Sequence, residues 1–212
     1  VPVWNGLTDQ FHPTQVLADL MTIKETARKP WKGITLVFIG DGRNNIANSL
    51  LIGSSKIGLN FRIVAPKELQ PEKNLIEKCN NFAIESGANI IITDDVKEGV
   101  KGADFIYTDV WVSLGEPEEV WDTRISLLMP YRVDDNLIEL TKNSNVKFMH
   151  CLPAIHNKDT AVGNKIWSLY NLDGVEVTDE VFESEKSIVF DQAENRVHTI
   201  KSMMIYTLNV EK

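Results

Sequence analysis

Polar and reactive side chains follow three largely apolar runs of this sequence. Residues 41–45 (Asp-Gly-Arg-Asn-Asn) follow the run 34–39, and residues 109–116 (Asp-Val-Trp-Val-Ser-Leu-Gly-Glu) follow the run 103–108. The segment Cys151-Leu152-Pro153 follows a further apolar run. Together these segments supply amides, a carboxylate, a hydroxyl and a thiol, which is a hydrogen-bonding set suited to a small polar ligand.

The individual residues of these segments allow more than one interpretation. Asp109 ends an apolar strand, which favours a role for its carboxylate in binding an ammonium group. Ser113-Leu114-Gly115 could equally form an ordinary turn. Cys151 follows His150, but adjacent residues of a strand point to opposite faces, so we expect no nucleophilic pair. A metal site of these two residues with His156 is not favoured, and a buried inert thiol is the default for a cysteine.

The glycines of the first segment invite a comparison with dinucleotide-binding loops. In the pattern Gly40-x-Gly42-x-x-Asn45 the third position is Asn instead of Gly or Ala, and the next strand ends at Ala65-Pro66 without a ribose-binding acid. A tight turn explains both glycines, and Asn44 is suited to cap the following helix.

Two basic segments have structural interpretations. Residues 122–126 (Asp-Thr-Arg-Ile-Ser) superficially resemble a phosphate-binding Thr-Arg pair, but the amphipathic surroundings favour a helix-surface position for Arg124. Arg196 and His198 lie in the predicted final helix, where a solvated face or packing of the chain end would account for both.

The elements that must position these residues alternate along the chain. We predict strands over 34–39, 61–65, 89–93, 103–108 and 146–152, and helices over 13–28, 44–56, 71–87, 95–101, 134–142 and 191–208. Apolar strands separated by helices indicate right-handed crossovers. The predicted fold class is therefore α/β, a doubly wound, Rossmann-like parallel sheet with helices on both faces. Ligands bind such sheets at the carboxyl ends of the strands, so the three polar segments should converge there.

Composition excludes several function classes. The chain has 212 residues, of which 43% are apolar and 25% charged, as in ordinary globular domains. A net charge of −8 with scattered basic residues argues against a nucleic-acid partner, and no apolar run is long enough for a membrane partner. The two cysteines fit a reducing, cytoplasmic location. These residues alone indicate an α/β domain that binds a small zwitterion or amine and leave its reaction open.

Five motifs, taken together, resemble the ornithine carbamoyltransferase family in order and spacing. They are His12-Pro13-Thr14-Gln15, Gly40–Asn45, Asp109–Glu116, His150-Cys151-Leu152-Pro153 and Glu194–Thr199. The resemblance runs from Val1 to about Leu208 and is to the C-terminal, ornithine-binding half of that enzyme. It implies that residues 1–30 are an interdomain helix with the end of a carbamoyl-phosphate domain, and that residues 31–212 are the ornithine-binding domain.

The resemblance also implies an activity. The family transfers a carbamoyl group from carbamoyl phosphate to the side-chain amine of L-ornithine, which gives citrulline and phosphate. It belongs to arginine metabolism, uses no metal or organic cofactor, and forms homotrimers or multiples of trimers. We therefore expect a cytoplasmic transferase with L-ornithine and carbamoyl phosphate as its partners.

The resemblance assigns two sets of site residues. Those expected to hold the α-amino and α-carboxylate groups of ornithine are Asn45, Asp109, Ser113 and Leu114. Those expected beside the reacting amine and the carbamoyl group are His12, Gln15, Cys151, Leu152 and Arg196. We expect catalytic roles for His12, Asp109, Cys151 and Arg196. The ornithine amine, with a reference pKa of about 10.4, must lose a proton before it attacks.

One family feature does not occur in this sequence. The family binds phosphate with a Ser-Thr-Arg-Thr-Arg helix N-terminus in its N-terminal half, and these 212 residues contain no such motif. The chain also begins with Val1 instead of Met, so we expect a C-terminal half that is inactive alone. Leu114 stands where the family usually has Met, a residue of similar volume. Two alternatives stay open: a sister carbamoyltransferase that uses putrescine or acetylornithine, and a non-catalytic ornithine-binding or oligomerisation domain.

Overall fold

The computed structural model describes residues 2–111 and 117–208. In these ranges the strands β1 to β5 form one sheet in the order β3-β2-β1-β4-β5, and every neighbouring pair is parallel. Their bounds are Thr35–Ile39, Asn60–Val64, Ile90–Thr93, Phe105–Thr108 and Lys147–His150. The predicted doubly wound α/β fold is confirmed.

Helices connect the strands and continue after the sheet. In chain order, α1 to α9 are Pro13–Ala27, Asn45–Ile57, Lys73–Ser86, Val96–Val100, Trp121–Leu128, Asp135–Leu140, Ala161–Tyr170, Asp179–Phe182 and Val189–Thr207. Short 3₁₀ turns occur at Trp31–Gly33, Lys67–Leu69, Glu118–Val120 and Met129–Tyr131. None of the helices in the described ranges combines the length and apolar character needed to cross a bilayer.

The central strand β1 contributes to both apolar layers of the molecule. Leu36 and Phe38 are fully buried in the layer formed with α1, α2 and α3, whereas Val37 and Ile39 are fully buried in the layer formed with α4 to α8. Side chains alternate between the faces of a strand, so a strand buried on both faces is apolar at nearly every position. The run 34–39 therefore identifies a central strand.

Several helices begin at a residue whose side chain accepts a backbone N–H of the first turn. The pairs are Asn44 with Ala47, Asp95 with Glu98, Asp134 with Leu137 and Thr160 with Gly163, at 2.7, 3.0, 2.8 and 3.0 Å. Such a cap stabilises a helix by about 1 kcal/mol. The predicted capping role of Asn44 is confirmed.

The structure differs from the sequence-based elements mainly after β5. The predicted strand 146–152 ends at His150, because Leu152 adopts a left-handed conformation with φ 58°. Helices α7 and α8 were not predicted, and α8, with four residues, is too short to show an apolar period. The last helix begins at Val189, two residues before the predicted 191.

Gly42, in the turn between β1 and α2, is predicted to be intolerant of a side chain. A Cβ atom there would lie 2.8 Å from Ile63 Cγ2 and 2.9 Å from the Leu69 carbonyl oxygen. Gly42→Ala should therefore lower the free energy of unfolding by about 1–3 kcal/mol, measured by urea denaturation. Gly33→Ala is the matched control, since its Cβ would meet only Lys29 Cδ, at 3.8 Å. Equal urea midpoints for the two variants would contradict this account.

Candidate active site

A cavity of about 660 Å³ opens at the carboxyl ends of β1, β4 and β5. These strands are neighbours, and the chain turns from building the sheet on one side of β1 to building it on the other between β3 and β4. The convergence of the three polar segments is thereby confirmed. The lining residues are Leu7, Asp9, His12, Asp41, Arg43, Asn44, Asn45, Ile46, Asp109, Val110, Arg124, Cys151 and Leu152.

The Asp109 carboxylate connects all three segments. Its Oδ2 accepts a hydrogen bond from Asn44 Nδ2 at 3.0 Å, and its Oδ1 accepts one from the Cys151 thiol at 3.1 Å. The Val110 amide also donates to Oδ1, at 2.8 Å. Asn44 thus has two tasks, because its side-chain oxygen caps α2 while its nitrogen holds Asp109. These three donors are neutral, so they leave the negative charge of Asp109 available to a cationic ligand.

Cys151 is a protonated hydrogen-bond donor in this arrangement. Burial of the thiol and the adjacent Asp109 raise its pKa well above the usual value for cysteine. A thiol, unlike a thiolate, is a poor nucleophile, so the arrangement favours an orienting role. His150 has other partners: its Nδ1 accepts the Leu152 N–H at 2.9 Å, and its Nε2 lies 3.4 Å from Glu176 Oε1. The structure therefore gives His150 and Cys151 different partners.

A second group of polar side chains joins the start of α1 to α9. Arg196 Nη1 donates to Gln15 Oε1 at 2.6 Å and lies 3.3 Å from His12 Nε2. Burial and the Arg196 charge lower the pKa of His12, which keeps its imidazole neutral at pH 7. A guanidinium only donates, so His12 Nε2 is the acceptor in this pair. Gln15 is buried behind the cavity wall, while His12 lines the cavity.

The remaining predicted site residues fall into two groups. Asn45 and Leu152 line the cavity, and Asn45 Nδ2 donates to the Thr8 carbonyl oxygen at 3.0 Å. Leu152 adopts a conformation that non-glycine residues rarely take and donates its N–H to His150. Ser113 and Leu114 lie outside the described residues.

The structure differs from the sequence-based expectation that Arg124 lies on the surface of a helix. Arg124 lies on α5, but its side chain is not on the solvated face of the helix. Its Nη1 donates to Asp41 Oδ2 and to the Trp111 carbonyl oxygen, both at 3.2 Å, and it lines the cavity. Asp41 also accepts from the backbone N–H of Arg43 at 3.0 Å. Arg124 therefore ties the chain after β4 to the turn after β1, a long-range contact that no local pattern predicts.

Glu176 is a second residue that the sequence did not reveal. It is fully buried, and its Oε1 accepts the Ile155 N–H at 2.6 Å. Together with the nearby His150 ring it supports the chain that follows β5. Its sequence surroundings, Gly-Val-Glu-Val-Thr, give a strand-like alternation but no indication of a site.

Within residues 2–111 and 117–208, the potential ligand atoms of two groups of side chains lie within 4.8 Å of one another: Asp109 with His150 and Cys151, and His156 with Asp179 and Glu183. In the first group the thiol donates to the carboxylate and the His150 Nδ1 accepts a backbone N–H. Hydrogen bonding thus accounts for the closeness of these residues. His156 belongs to the second group, where its Nδ1 lies 2.6 Å from Asp179. The disfavoured combination of His150, Cys151 and His156 does not assemble.

Comparison of the sequence with models of known protein families shows to which family the chain belongs. The Asp/Orn binding domain of aspartate/ornithine carbamoyltransferase matches residues 32–207, and the carbamoyl-P binding domain of the same family matches residues 1–25. The chain belongs to the aspartate/ornithine carbamoyltransferase family. The family resemblance carried by the five motifs is thereby confirmed.

Relatives of this carbamoyltransferase-family chain include ornithine carbamoyltransferase of Staphylococcus aureus strain Newman, which is 56% identical over 98% of the chain. The solved ornithine carbamoyltransferase of Pyrococcus furiosus is 38% identical, with a TM-score of 0.83 over 98% of the chain. The anabolic enzyme of Campylobacter jejuni is 33% identical, with a TM-score of 0.81 over 100% of the chain. The chain spans only 62%, 59% and 63% of the length of these relatives, in the order given.

The hydrogen bond between Cys151 and Asp109 predicts how fast this carbamoyltransferase-family chain is alkylated. Asp109 raises the pKa of the thiol, so Asp109→Asn should lower that pKa and increase the thiolate fraction. We expect iodoacetamide to modify Cys151 several-fold faster in Asp109→Asn at pH 8, measured by mass spectrometry. A Cys79→Ser background removes the other thiol, and Asp135→Asn is the control. An unchanged rate in Asp109→Asn would contradict the assignment.

Proposed function

We propose that the chain is the ornithine-binding part of an ornithine carbamoyltransferase. The main support for this proposal is the cavity at the carboxyl ends of β1, β4 and β5. There, neutral donors hold Asp109, and Arg196 lies beside His12. In this proposal residues 1–30 form the interdomain helix and the end of the carbamoyl-phosphate domain, and residues 31–212 form the ornithine-binding domain. The 56% identical relative named ornithine carbamoyltransferase favours ornithine over putrescine or acetylornithine.

One end of the cavity is suited to a zwitterionic amino acid. Asp109 offers a carboxylate to an ammonium group, and Asn45 offers an amide beside it. Ser113 and Leu114 complete this set in the proposal. The ornithine side-chain amine is protonated in water, and a desolvating cavity together with Asp109 favours its positioning and the removal of its proton. Cys151 and Leu152 then lie beside the reacting amine.

In the proposal, His12, which lines the cavity, and Arg196, which lies behind it, supply donors for the carbamoyl oxygen. Attack on the carbamoyl carbon places negative charge on that oxygen, and a guanidinium is a suitable donor to it. Arg196 carries such a charge while bonded to the uncharged Gln15 and His12. Because His12 Nε2 accepts from Arg196 here, a donor role for His12 requires that Arg196 turn toward the substrate. Alignment of the two substrates would supply much of the remaining rate gain.

The test is citrulline formation from L-ornithine and carbamoyl phosphate. The purified chain is assayed alone and after mixing with the N-terminal part of the Staphylococcus aureus relative that the chain does not cover. We expect no turnover alone and turnover after mixing, because the phosphate-binding motif of the family is not in this sequence. Turnover by the chain alone would contradict the requirement for a second part and direct the search for a phosphate site to Arg43, Arg124 and Arg132.

If no citrulline forms in either assay, a binding measurement distinguishes the remaining functions. Calorimetric titration of the chain with L-ornithine, putrescine and acetylornithine shows which amine the cavity prefers. Binding of ornithine without turnover would favour the non-catalytic alternative, and preference for another amine would favour a sister transferase. Dialysis against a chelator should leave turnover unchanged, since the proposed reaction uses no metal or organic cofactor.

The proposal extends to a cytoplasmic homotrimer, or a multiple of trimers, in arginine metabolism. It is supported by the family of the chain and by its two cysteines, which fit a reducing compartment. Sedimentation equilibrium of the mixed enzyme measures the assembly directly. A mass equal to three copies of each part, or to a multiple of three, is expected, and a mass equal to one copy of each would contradict a trimeric assembly.

Two site variants should reduce turnover sharply in the mixed enzyme. Asp109→Ala removes the carboxylate that faces the amine, and Arg196→Ala removes the charged donor. We expect each to lower kcat/KM about 10²–10³-fold, as for other lost transition-state contacts. Glu77→Ala, on the exposed face of α3, is the matched control and should keep full turnover. Normal turnover in either site variant would remove that residue from the proposed site.

A further inference from the structure

A buried carboxyl group lies behind the candidate site, in a position where an ionisable side chain is costly to desolvate. Asp19 on α1 is fully buried, and burial raises its pKa to about 7. Its hydrogen-bond donors are the neutral groups Gln15 Nε2 at 2.9 Å, Gln192 Nε2 at 2.7 Å and Tyr107 OH at 3.3 Å. Apolar replacement of buried charged groups is often neutral or stabilising. A carboxyl group in such a place therefore indicates a functional constraint.

The hydrogen bonds of Asp19 fix the orientation of two glutamine amides. Gln15 lies between Asp19 and the Arg196 guanidinium, whose Nη1 donates to Gln15 Oε1 at 2.6 Å. Gln192 lies between Asp19 and the backbone N–H of His150, which donates to Gln192 Oε1 at 3.0 Å. The Arg196 guanidinium and the His150 N–H can only donate, whereas the Asp19 carboxylate accepts from both amides. Each amide must therefore turn its NH₂ toward Asp19 and its oxygen toward the site.

These contacts connect four elements through one side chain. Gln15 and Asp19 belong to α1, Gln192 and Arg196 to α9, and Tyr107 to β4. The His150 N–H belongs to the last residue of β5, directly before Cys151. Without an acceptor at Asp19, the NH₂ group of Gln15 loses its buried partner, and the side chain is no longer held where its oxygen accepts from Arg196. Arg196 would then lose the contact that holds it beside His12.

We propose that Asp19 is a positioning residue, which holds Arg196 against His12 through Gln15 and holds the end of β5 through Gln192. The proposal deepens the proposed function and rests on it, since that function places Arg196, His12 and Cys151 at the reacting groups. Asp19 itself does not line the cavity and is not a catalytic residue.

The pKa of His12 provides the readout, measured on the 212-residue chain by NMR titration of ¹³C-labelled histidine rings. Besides burial, Arg196 lowers this pKa and Asp109 raises it, so His12 reports whether Arg196 stays in place. Asp19→Val removes both acceptor oxygens, and the pKa of His12 should rise toward the ordinary value for histidine. Asp19→Asn keeps one oxygen for the two glutamine amides and turns its NH₂ toward Tyr107, so the pKa should stay as in the parent chain.

Two further variants separate positioning from general loosening of the core. Tyr107→Phe removes a donor from Asp19 in the same buried cluster but leaves the link to Gln15, so it should lower stability without moving the pKa of His12. Asp19→Ser is a milder variant for use if circular dichroism shows that Asp19→Val does not fold. The serine hydroxyl is too short to reach both amides, and it should raise the pKa of His12 as Asp19→Val does.

The outcomes separate this proposal from the proposed function. An unchanged pKa of His12 in folded Asp19→Val or Asp19→Ser would overturn the positioning role. An equal rise in Asp19→Asn or Tyr107→Phe would also overturn it, because a general disturbance would then explain the shift. None of these measurements needs turnover. A chain that forms no citrulline after mixing, but shows the expected pattern, would contradict the proposed function alone.

Discussion

The pairing of β1 with β4 is the constraint on which the candidate site depends. After β1 the chain adds β2 and β3 on one side, then returns to pair β4 with the other side of β1 in the register Val37 to Ile106. The connections that leave β1 and β4 therefore diverge, and a crevice opens between them. Asn44 and Asp109, which begin these connections, come within 3.0 Å across 65 positions of sequence. Without this pairing the cavity would lose both its carboxylate and the amide that orients it.

The layered fold could be predicted because its signals are local. Strands buried on both faces are apolar at successive positions, as in the run 34–39, and helix starts carry capping residues such as Asn44, Asp95 and Asp134. Convergence of the polar segments then follows from the geometry of parallel sheets alone. The elements that were missed, α7 and α8, follow the last strand, where no alternation of strand and helix remains to guide the assignment.

The polar contacts behind the cavity could not be predicted, because their partners are distant in sequence. Arg124 is 83 positions from Asp41, and Gln192 is 173 positions from Asp19. These pairs meet because α9 packs along α1 and because Arg124 of α5 reaches the cavity at the carboxyl end of the sheet. An amphipathic pattern shows which face of a helix is buried but not which polar group will face it. In the sequence pattern, Arg124 therefore looks like a surface residue. Asp19 looks like any polar residue of an amphipathic helix.

Two of the acids that line the cavity, Asp41 and Asp109, have different surroundings, and this difference gives the cavity its polarity. Asp41 accepts from Arg124 and lies 3.4 Å from Arg43 Nε, so guanidinium groups already balance its charge. Asp109 is held by the amide of Asn44 and the thiol of Cys151, which orient it without neutralising it. An incoming ammonium group therefore gains more at Asp109 than at Asp41. Arg196 has the opposite charge to Asp109. Its guanidinium is hydrogen-bonded to the neutral Gln15 and His12, so its positive charge can stabilise negative charge that develops on a substrate. The proposed reaction, in which an amine attacks a carbonyl carbon, requires both of these features, a carboxylate that binds a cation and a nearby cationic donor.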